Sequence, residues 1–374
     1  MRIFITFLLR RIHTSIHTPF MLIAALISCC LLLDSCDVHQ FPEPKDEGPA
    51  PEVPVETVMV PLNLVYTPDF YVWEHSYDPI LGKIEEANPE LEIFPGLPGV
   101  SSKYDNTLKK GIMDVHVKAY LASNRNKIVK EQSFSFDLTG NSYATSLQIE
   151  LPKDTEYKLG IWSHLRESLE SNPFYDPSDF NRVSIIGNNY QGNTDYRDGF
   201  KGEISLETFS EKHQALEVIM TRPMGKFEFV TIDLSEFLDR ETSRRSLQTR
   251  ATADEYNVVI SFPYYMPSSY SLLDDRLEFS ASGVGFVTKM TVTGDSDASL
   301  GFEYVMLNNG DDGGVQARVD IYDPVNTHVA GSATLTIPMK RDHHTVLRGA
   351  FLSQEGEGGV GIDPDFDGDF NVPV

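Results

Sequence analysis

The most reactive side chains in this sequence are three cysteines, Cys29, Cys30 and Cys36, which all lie in the first 36 residues. An arginine-containing start and a 14-residue apolar run (residues 20–33) precede Cys36, which is the layout of a secretory signal. The run is shorter than the about 20 residues that a spanning helix needs, so a transmembrane anchor is the weaker interpretation. Residues 33–36 (LDSC) resemble a lipobox, although Asp34 departs from the usual residue type. We therefore predict cleavage before Cys36 and acylation of its thiol; the alternative is that Cys36 only ends a cysteine-containing apolar run.

This prediction sets the location of the chain and removes several kinds of chemistry. Residues 1–35 would be the signal peptide, and the Pro- and Glu-rich residues 36–55 would form a flexible tether. The expected location is the cell outer membrane, reached through the lipid on Cys36 and exposed at the surface. No thiol would remain for a disulfide, a nucleophile or a metal site.

Few other residues suggest catalysis or metal binding. The sequence has no G-x-S-x-G, H-E-x-x-H or G-x-x-x-x-G-K motif, so we expect no enzyme and no cofactor. His343 and His344 are neighbours beside a predicted strand and would point to opposite faces. The run Asp363, Asp365, Asp367 resembles the start of a calcium loop, but the position of the expected bidentate glutamate is the terminal Val374. An acidic turn is the favoured interpretation, and calcium binding there stays open.

The elements that must position these residues are β-strands. Period-two alternation, broken by Gly, Asn, Asp and Pro, predicts antiparallel sheets with one solvated face. The predicted strands are residues 58–66, 114–120, 133–138, 146–151, 157–162, 227–234, 256–262, 285–292, 301–307, 315–322, 333–337 and 346–352. Pro61 indicates that the first of them is an edge or bulged strand. Short helices are predicted near Asp179 and Phe180 and over residues 234–240, with Asp233 as the cap. The sequence therefore predicts an all-β chain of two β-sandwiches, over residues 56–222 and 223–374.

A polar, arginine-rich stretch, residues 239–254, interrupts the second predicted domain. We expect an exposed loop there, which a protease could cut after Arg244, Arg245 or Arg250. The alternative is a solvated loop without a processing role.

The net charge of −24 excludes a nucleic-acid partner, because such a surface repels phosphates. It equally repels anionic lipid headgroups, so the predicted membrane link is the acyl chain alone.

Two segments carry a resemblance to a known group of proteins. Residues 193–202 (NTDYRDGFKG) are similar to the tyrosine–arginine–aspartate segment of Bacteroidales fimbrillins, and residues 220–229 (MTRPMGKFEF) to their arginine–proline junction between domains. The closing residues 348–352 and 358–370 resemble the end of a fimbrillin-like lipoprotein family without assigned function. The resemblance runs in order from Cys36 to the C-terminus.

The resemblance implies two tandem transthyretin-like β-sandwiches and a role as a pilus subunit, with other pilus subunits as partners. Such subunits polymerise by strand exchange, in which a donated strand fills a vacated sheet edge. The terminal Phe370, Val372 and Val374 alternate and could form that strand. The family's polymerising members are cut after an arginine beyond the first strand, yet no arginine lies between Cys36 and Arg125.

The expected function is therefore that of a fimbrial tip, anchor or accessory subunit in adhesion, whose surface ligand the sequence does not identify. The alternative is a glycan-binding surface lipoprotein. Trp73, Trp162, Tyr264 and Tyr265 could supply aromatic platforms for a glycan, although aromatic residues in a sandwich are more often core residues.

Overall fold

The computed structural model describes residues 56–66, 70–85, 111–138, 144–186, 191–207, 215–245, 249–310 and 313–353. In these residues the chain forms twenty strands, one α-helix and two 3-10 turns. The predicted all-β class is confirmed, and the strands are arranged in four sheets that form two sandwiches.

The first sandwich consists of seven strands in two sheets. Their bounds are β1 Thr57–Tyr66, β4 Gly111–Leu121, β5 Asn124–Leu138, β6 Ala144–Pro152, β7 Tyr157–Arg166, β10 Gly199–Leu206 and β11 Leu216–Met220. The sheet orders are β11-β1-β6 and β10-β7-β4-β5. Alternate side chains of both sheets, such as Leu62 on β1 and Val117 on β4, meet in one apolar core.

The second sandwich consists of thirteen strands, again in two sheets. The sheet β15-β16-β12-β20-β2-β3 contains β2 Tyr71–Asp78, β3 Lys83–Glu85, β12 Met224–Thr231, β15 Thr291–Val292, β16 Ala298–Met306 and β20 His343–Gly349. The sheet β18-β17-β13-β9-β8, with β14 and β19 attached, contains β8 Tyr175–Asp176, β9 Val183–Ile185, β13 Asn257–Ser271, β14 Arg276–Lys289, β17 Gly313–Tyr322, β18 His328–Gly331 and β19 Leu335–Met339. Phe227, Ile260, Val319 and Leu347 lie in its core.

The two sandwiches are interleaved along the sequence. From β1 in the first sandwich the chain passes to β2 and β3 in the second, and it returns for β4 to β7. It then passes to β8 and β9, returns for β10 and β11, and ends in the second sandwich with β12 to β20. The domain boundary between residues 222 and 223 stays a prediction, but strand pairing places two earlier segments, 71–85 and 175–185, in sheets of the second sandwich.

The prediction that the first strand is an edge strand is wrong. β1 is the central strand of its sheet, antiparallel to β6 and parallel to β11, and Leu62 and Leu64 are fully buried. Pairing with β11 begins at Leu62, immediately after Pro61. The missing N–H of Pro61 therefore leaves no ladder hydrogen bond unmade on that side.

Strand β4 differs from the prediction of one solvated face. Val115 and Val117 face the core of the first sandwich, but Asp114, Lys118 and Tyr120 on the other face are also buried. The second sandwich covers that face, which removes the solvent that polar alternation normally indicates.

The helix, α1, is longer than predicted and spans Leu234–Arg244. Its Leu234 and Phe237 pack on the core of the second sandwich. Asp233 precedes the helix but does not cap it with its side chain; its carboxylate instead accepts hydrogen bonds from Thr231 Oγ1 (2.5 Å) and the Leu352 N–H. Near Asp179 the structure has a turn and no helix, because the Asp179 carboxylate accepts from the N–H of Asn181 two residues on.

Candidate functional site

The residues that carry the family resemblance lie where the two sandwiches meet, a region that we call the junction. It is formed by the 3-10 turn Asp195–Arg197, by Asp198 and by Arg222, which precedes β12. Thr194 begins the turn, and its side chain accepts a hydrogen bond from the Tyr196 N–H at 3.3 Å.

Arg222 and Asp198 form a bidentate ion pair in the centre of the junction. Arg222 Nε and Nη2 each lie 2.8 Å from a carboxylate oxygen of Asp198, and both side chains are buried. The guanidinium carbon lies 4.0 Å from the ring centre of Phe70 and 4.7 Å from that of Phe200. Burial raises the pKa of Asp198, and the Arg222 charge offsets part of that effect. Such a pair is stable only when both partners are present.

A second buried pair joins Arg197 to Glu303 on β16. Arg197 Nε lies 3.0 Å from Glu303 Oε1, and both side chains are at most 1% exposed. Arg197 Nη1 also donates to the Gln191 carbonyl at 3.0 Å, and the Tyr175 hydroxyl donates to the Arg197 carbonyl at 2.6 Å. Burial raises the pKa of Glu303 to about 7, although Arg197 opposes the rise. The pair attaches the 3-10 turn to the second sandwich.

Asp195 extends this network. Its carboxylate accepts a hydrogen bond from Lys226 Nζ at 2.9 Å and from the Tyr304 hydroxyl at 3.0 Å. Lys226 Nζ in turn lies 3.8 Å from the ring centre of Phe302. The turn therefore contacts both β12 and β16, the strands next to each other in the second sandwich.

Asp275 makes a separate polar contact between the sandwiches. Lys201 Nζ on β10 lies 2.6 Å from the Asp275 carboxylate, and Arg341 Nη1 lies 2.7 Å from it. The Tyr270 hydroxyl donates to the same carboxylate. Two cations and a hydroxyl thus meet one carboxylate, which lies on the turn between β13 and β14.

Apolar side chains fill the space beside these ion pairs. Trp162 is fully buried and packs edge-on against Tyr175, with ring centres 5.5 Å apart. Phe180 and Leu272 lie close to Gly160 on β7, where a Cβ would meet their side chains at 3.1 and 3.2 Å. The junction is therefore a packed core that contains buried ion pairs. These contacts hold the two sandwiches of the chain together.

A histidine pair lies on the same covered face of the first sandwich. The rings of His116 and His164 stack with centres 5.6 Å apart, and His164 Nε2 lies 3.7 Å from Asp114. Asp114 is held by Arg166, whose Nε is 2.8 Å away. Burial and the neighbouring His116 lower the pKa of His164 to about 4. In the part of the chain that the structure describes, no three His, Cys, Asp or Glu residues are placed to hold a metal ion.

We expect acid to weaken the fold through His164. Its folded pKa of about 4 lies below the ordinary 6.5, so the unfolded chain binds the proton first, and stability is lost as the pH falls from 6.5 to 4. The full loss from this group is about 3 kcal/mol. Urea denaturation at pH 7 and at pH 4.5 measures the free energy of unfolding. The loss of this free energy on acidification should therefore be smaller in His164→Gln than in the wild type. Glu303, whose pKa is raised, changes the stability in the opposite sense, but it does so equally in both proteins, so its contribution cancels in the comparison. Equal losses of stability in the two proteins would contradict the prediction.

Several predicted site residues lie outside the described residues. These are Cys36, the terminal Phe370, Val372 and Val374, and the acidic run Asp363, Asp365 and Asp367. Their roles stay predictions. Among the described residues, no helix is long and apolar enough to cross a membrane.

The arginines of the predicted protease-sensitive loop have three different environments. Arg244 is the last residue of α1 and contacts Glu241 at 3.1 Å, so this part of the stretch is helical and not a loop. Arg245 follows it and pairs with Glu255, whereas Arg250 is exposed. Cleavage here stays a prediction.

The candidate aromatic platforms separate clearly by exposure. Trp162 is fully buried, and Trp73 is half-buried with its ring centre 4.5 Å from that of His75. Tyr264 and Tyr265 are 56% and 77% exposed. Among these four candidates, Tyr264 and Tyr265 are the exposed side chains.

The pairing of the junction residues was not predicted from the sequence. The available signal was Glu303, a charged residue inside the otherwise apolar strand β16, because a buried carboxylate requires a cationic partner. Arg197 and Arg222 were possible partners. Which arginine pairs with which carboxylate depends on contacts between the sandwiches, and those are not local in sequence.

No curated protein matches the chain. Among solved structures, the fimbrial anchor protein Mfa2 from Porphyromonas gingivalis is similar over 73% of this chain and 82% of its own, with 11% identity and a TM-score of 0.31. A fimbrial assembly protein from Parabacteroides distasonis is similar over 80% of this chain and 94% of its own, with 9% identity and a TM-score of 0.38.

A family described as "Family of unknown function (DUF6562)" matches residues 103–374, which include the junction residues and most of both sandwiches. The match covers well over half of the sequence. The chain belongs to the DUF6562 family.

Proposed function

We propose that this chain is a cell-surface fimbrillin-type lipoprotein that acts as a tip, anchor or accessory subunit of a fimbrium in adhesion, and that it is not an enzyme. The observation that carries the proposal is the location of the resembling motifs. Residues 193–202 and 220–229 supply Arg197, Asp198 and Arg222, the residues that pair inside the junction. The motifs thus coincide with the contact that joins the two sandwiches.

The first strand favours an accessory position over a polymerising one. β1 is the central strand of its sheet, and no arginine lies between Cys36 and Arg125 for an arginine-specific cut beyond it. Removing β1 would also withdraw Val60, Leu62 and Leu64, all fully buried, from the core of the first sandwich. The chain is proposed to keep this strand, with other fimbrial subunits as its partners.

The proposal is tested in the producing cell. Deleting the gene should change the number, length or attachment of fimbriae seen by electron microscopy, and adhesion should fall. N-terminal mass spectrometry of the surface form should show a chain that begins at Cys36 and retains β1. Unchanged fimbriae and adhesion after deletion would reject the fimbrial role, and a mature chain beginning after β1 would reject the accessory position.

Cys36→Ala should abolish lipid labelling and leave an unprocessed precursor, because the Cys36 sulfur is the proposed acylation site. The measurement is incorporation of labelled palmitate, with Cys30→Ala as the matched control that should label normally. Undiminished labelling of Cys36→Ala would contradict the lipoprotein proposal.

A second candidate function, glycan binding, is favoured by the exposure of Tyr264 and Tyr265. They lie between Pro263 and Pro267 on β13, in a stretch that pairs with neither β17 nor β9. Exposed tyrosine rings can pack on the apolar face of a sugar and offer a hydroxyl at the same time. Both tyrosine rings are exposed on the same strand.

If glycan binding is the function, Tyr265→Ala should weaken binding to a glycan array at least tenfold. Val325→Ala, which truncates an apolar residue that is 79% exposed elsewhere on the second sandwich, is the control and should bind normally. Equal binding by both variants, or no binding by the wild type, would reject this candidate.

A further inference from the structure

Glu303 is the one charged residue of strand β16, and it lies inside the protein. Its side chain is fully buried, and Phe227, the residue directly opposite on β12, is apolar and equally buried. Leu300 and Val305 of the same strand belong to the apolar core of the second sandwich. A carboxylate at such a position loses its hydration, and only hydrogen bonds, a cation or a proton can compensate for that loss.

The hydrogen bonds of Glu303 are incomplete. Its Oε1 lies 3.0 Å from Arg197 Nε and accepts a hydrogen bond from the Tyr304 N–H at 2.7 Å. Its Oε2 is buried as well, and the described residues place no hydrogen-bond donor on it. Two donors therefore serve one oxygen of the carboxylate, and none serves the other.

Asp198, another buried carboxylate of the junction, shows the contrast. Both of its oxygens accept hydrogen bonds from Arg222, at 2.8–3.0 Å. Arg197 instead divides its donors, since its Nη1 donates to the Gln191 carbonyl at 3.0 Å. The geometry thus stabilises the negative charge of Asp198 more completely than that of Glu303.

The groups that face Glu303 from the packed elements leave it free to titrate near neutral pH. Burial raises the pKa of Glu303 to about 7, and the charge of Arg197 opposes the rise. Tyr175 on β8 stays neutral, because burial raises the pKa of its hydroxyl. The ring centre of His164 lies 5.9 Å from that of Tyr175, and its pKa of about 4 keeps His164 neutral at neutral pH.

The other carboxylates around the 3-10 turn have their own partners. Asp195 is held by Lys226 at 2.9 Å. Burial raises the pKa of Asp198 and of Asp342 as well, so these two carboxyl groups change the stability in the same direction as Glu303. Variants that differ at Glu303 alone separate its effect from theirs.

We propose that Glu303 makes the junction pH-dependent: while its carboxyl group is protonated, the 3-10 turn Asp195–Arg197 stays packed on β16, and loss of that proton above neutral pH loosens the turn. The folded pKa of about 7 lies above the ordinary 4.5, so the stabilisation is fully present below pH 4.5 and is lost as the pH rises through 7. An ionised Glu303 recovers water at Oε2 only when the turn moves away from β16.

This inference goes beyond the proposed function and does not depend on it. It concerns the attachment of the turn that carries the resembling motif to the second sandwich. His164 weakens the fold in acid, and Glu303 weakens it above neutral pH. The two groups together limit the range of pH over which the junction is most stable.

The test uses the full chain and its variant Glu303→Gln, whose side-chain amide has the shape of the neutral carboxyl group. Between pH 6 and pH 8.5, the equilibrium constant of unfolding in urea should rise about tenfold more in the wild type than in this variant. Glu236→Gln, at an exposed position on α1, is the matched control and should keep the dependence of the wild type. Equal pH dependence of the wild type and Glu303→Gln would overturn the proposal.

A second measurement needs no variant and decides the matter if Glu303→Gln does not fold. Carbon-13 nuclear magnetic resonance of the Glu303 carboxyl group, assigned through bonds to its own backbone, should give a titration midpoint near pH 7. The N–H groups of Arg197 and Asp198 donate to the carbonyls of Thr194 and Asp195. They should exchange at least fivefold faster at pH 8.5 than the chemical pH dependence of exchange explains. A midpoint at or below pH 4.5, or equal protection of these N–H groups at both pH values, would overturn the proposal.

Discussion

Arg222→Met should lower the free energy of unfolding of residues 55–374 by about 3–5 kcal/mol, because it leaves the buried Asp198 carboxylate without its cation. The Arg222 guanidinium supplies three hydrogen-bond contacts of 2.8–3.0 Å to that carboxylate, and no solvent replaces them at a side chain this buried. Chemical denaturation followed by circular dichroism measures the change.

Two further variants separate the ion pair from general effects of removing an arginine. The double variant Arg222→Met with Asp198→Leu should recover much of the loss, because neither buried charge remains. Arg276→Met removes an arginine that is 62% exposed and lies 3.0 Å from Glu278, so it should cost less than about 1 kcal/mol. A loss below 1 kcal/mol in Arg222→Met would contradict the importance that we assign to the junction.

The second large effect concerns the independence of the two sandwiches. A fragment of residues 223–374 should fail to fold, because it lacks β2, β3, β8 and β9. Without β2, the parallel partner of β20, the sheet loses Val72 and Tyr77, both of which are buried. Without β2, strand β20 would present an unpaired edge, which favours aggregation.

The matched control is residues 55–374, which form one compact unit and should melt cooperatively. Thermal unfolding by circular dichroism, with near-ultraviolet signals for the tyrosines of β13, compares the two chains. A cooperative melt of residues 223–374 alone would show that the sandwiches fold independently and that the interleaving is dispensable.

The interleaving also affects how the two sandwiches would resist a force that pulls them apart. A pull on the first sandwich reaches the second through five chain crossings and through the buried pairs Arg197–Glu303 and Arg222–Asp198. Separating the sandwiches would expose these charges and the aromatic side chains around Trp162 at the same time. We expect the two sandwiches to resist a separating force as one body.

The sequence by itself determined the class of fold and most of the strands in long alternating segments. In β1 and the first part of β13, side chains alternate between core and surface, and in the second half of β5 partly buried side chains alternate with exposed ones. The period-two pattern was therefore present in the residues themselves. The first part of the helix α1 was recognisable from a different period, because Leu234 and Phe237 are three residues apart and so lie on one helical face. Short strands such as β8, β9 and β18 were missed, since two to four residues cannot display a period. The eight-residue strands β2 and β10 were missed as well.

Tertiary structure alone decided what the polar residues of the covered faces do. Asp114 and Lys118 alternate with valines and predict a solvated face, yet the second sandwich covers them, because β4 lies between two packed layers. Likewise, the motif arginines became buried ion-pair partners only when β16 brought Glu303 to Arg197 and the turn after Arg197 brought Asp198 to Arg222. The alternation of apolar and polar residues can be read from residues that are neighbours in the sequence. The pairing of charges depends on segments that meet only after the chain has crossed between the sandwiches.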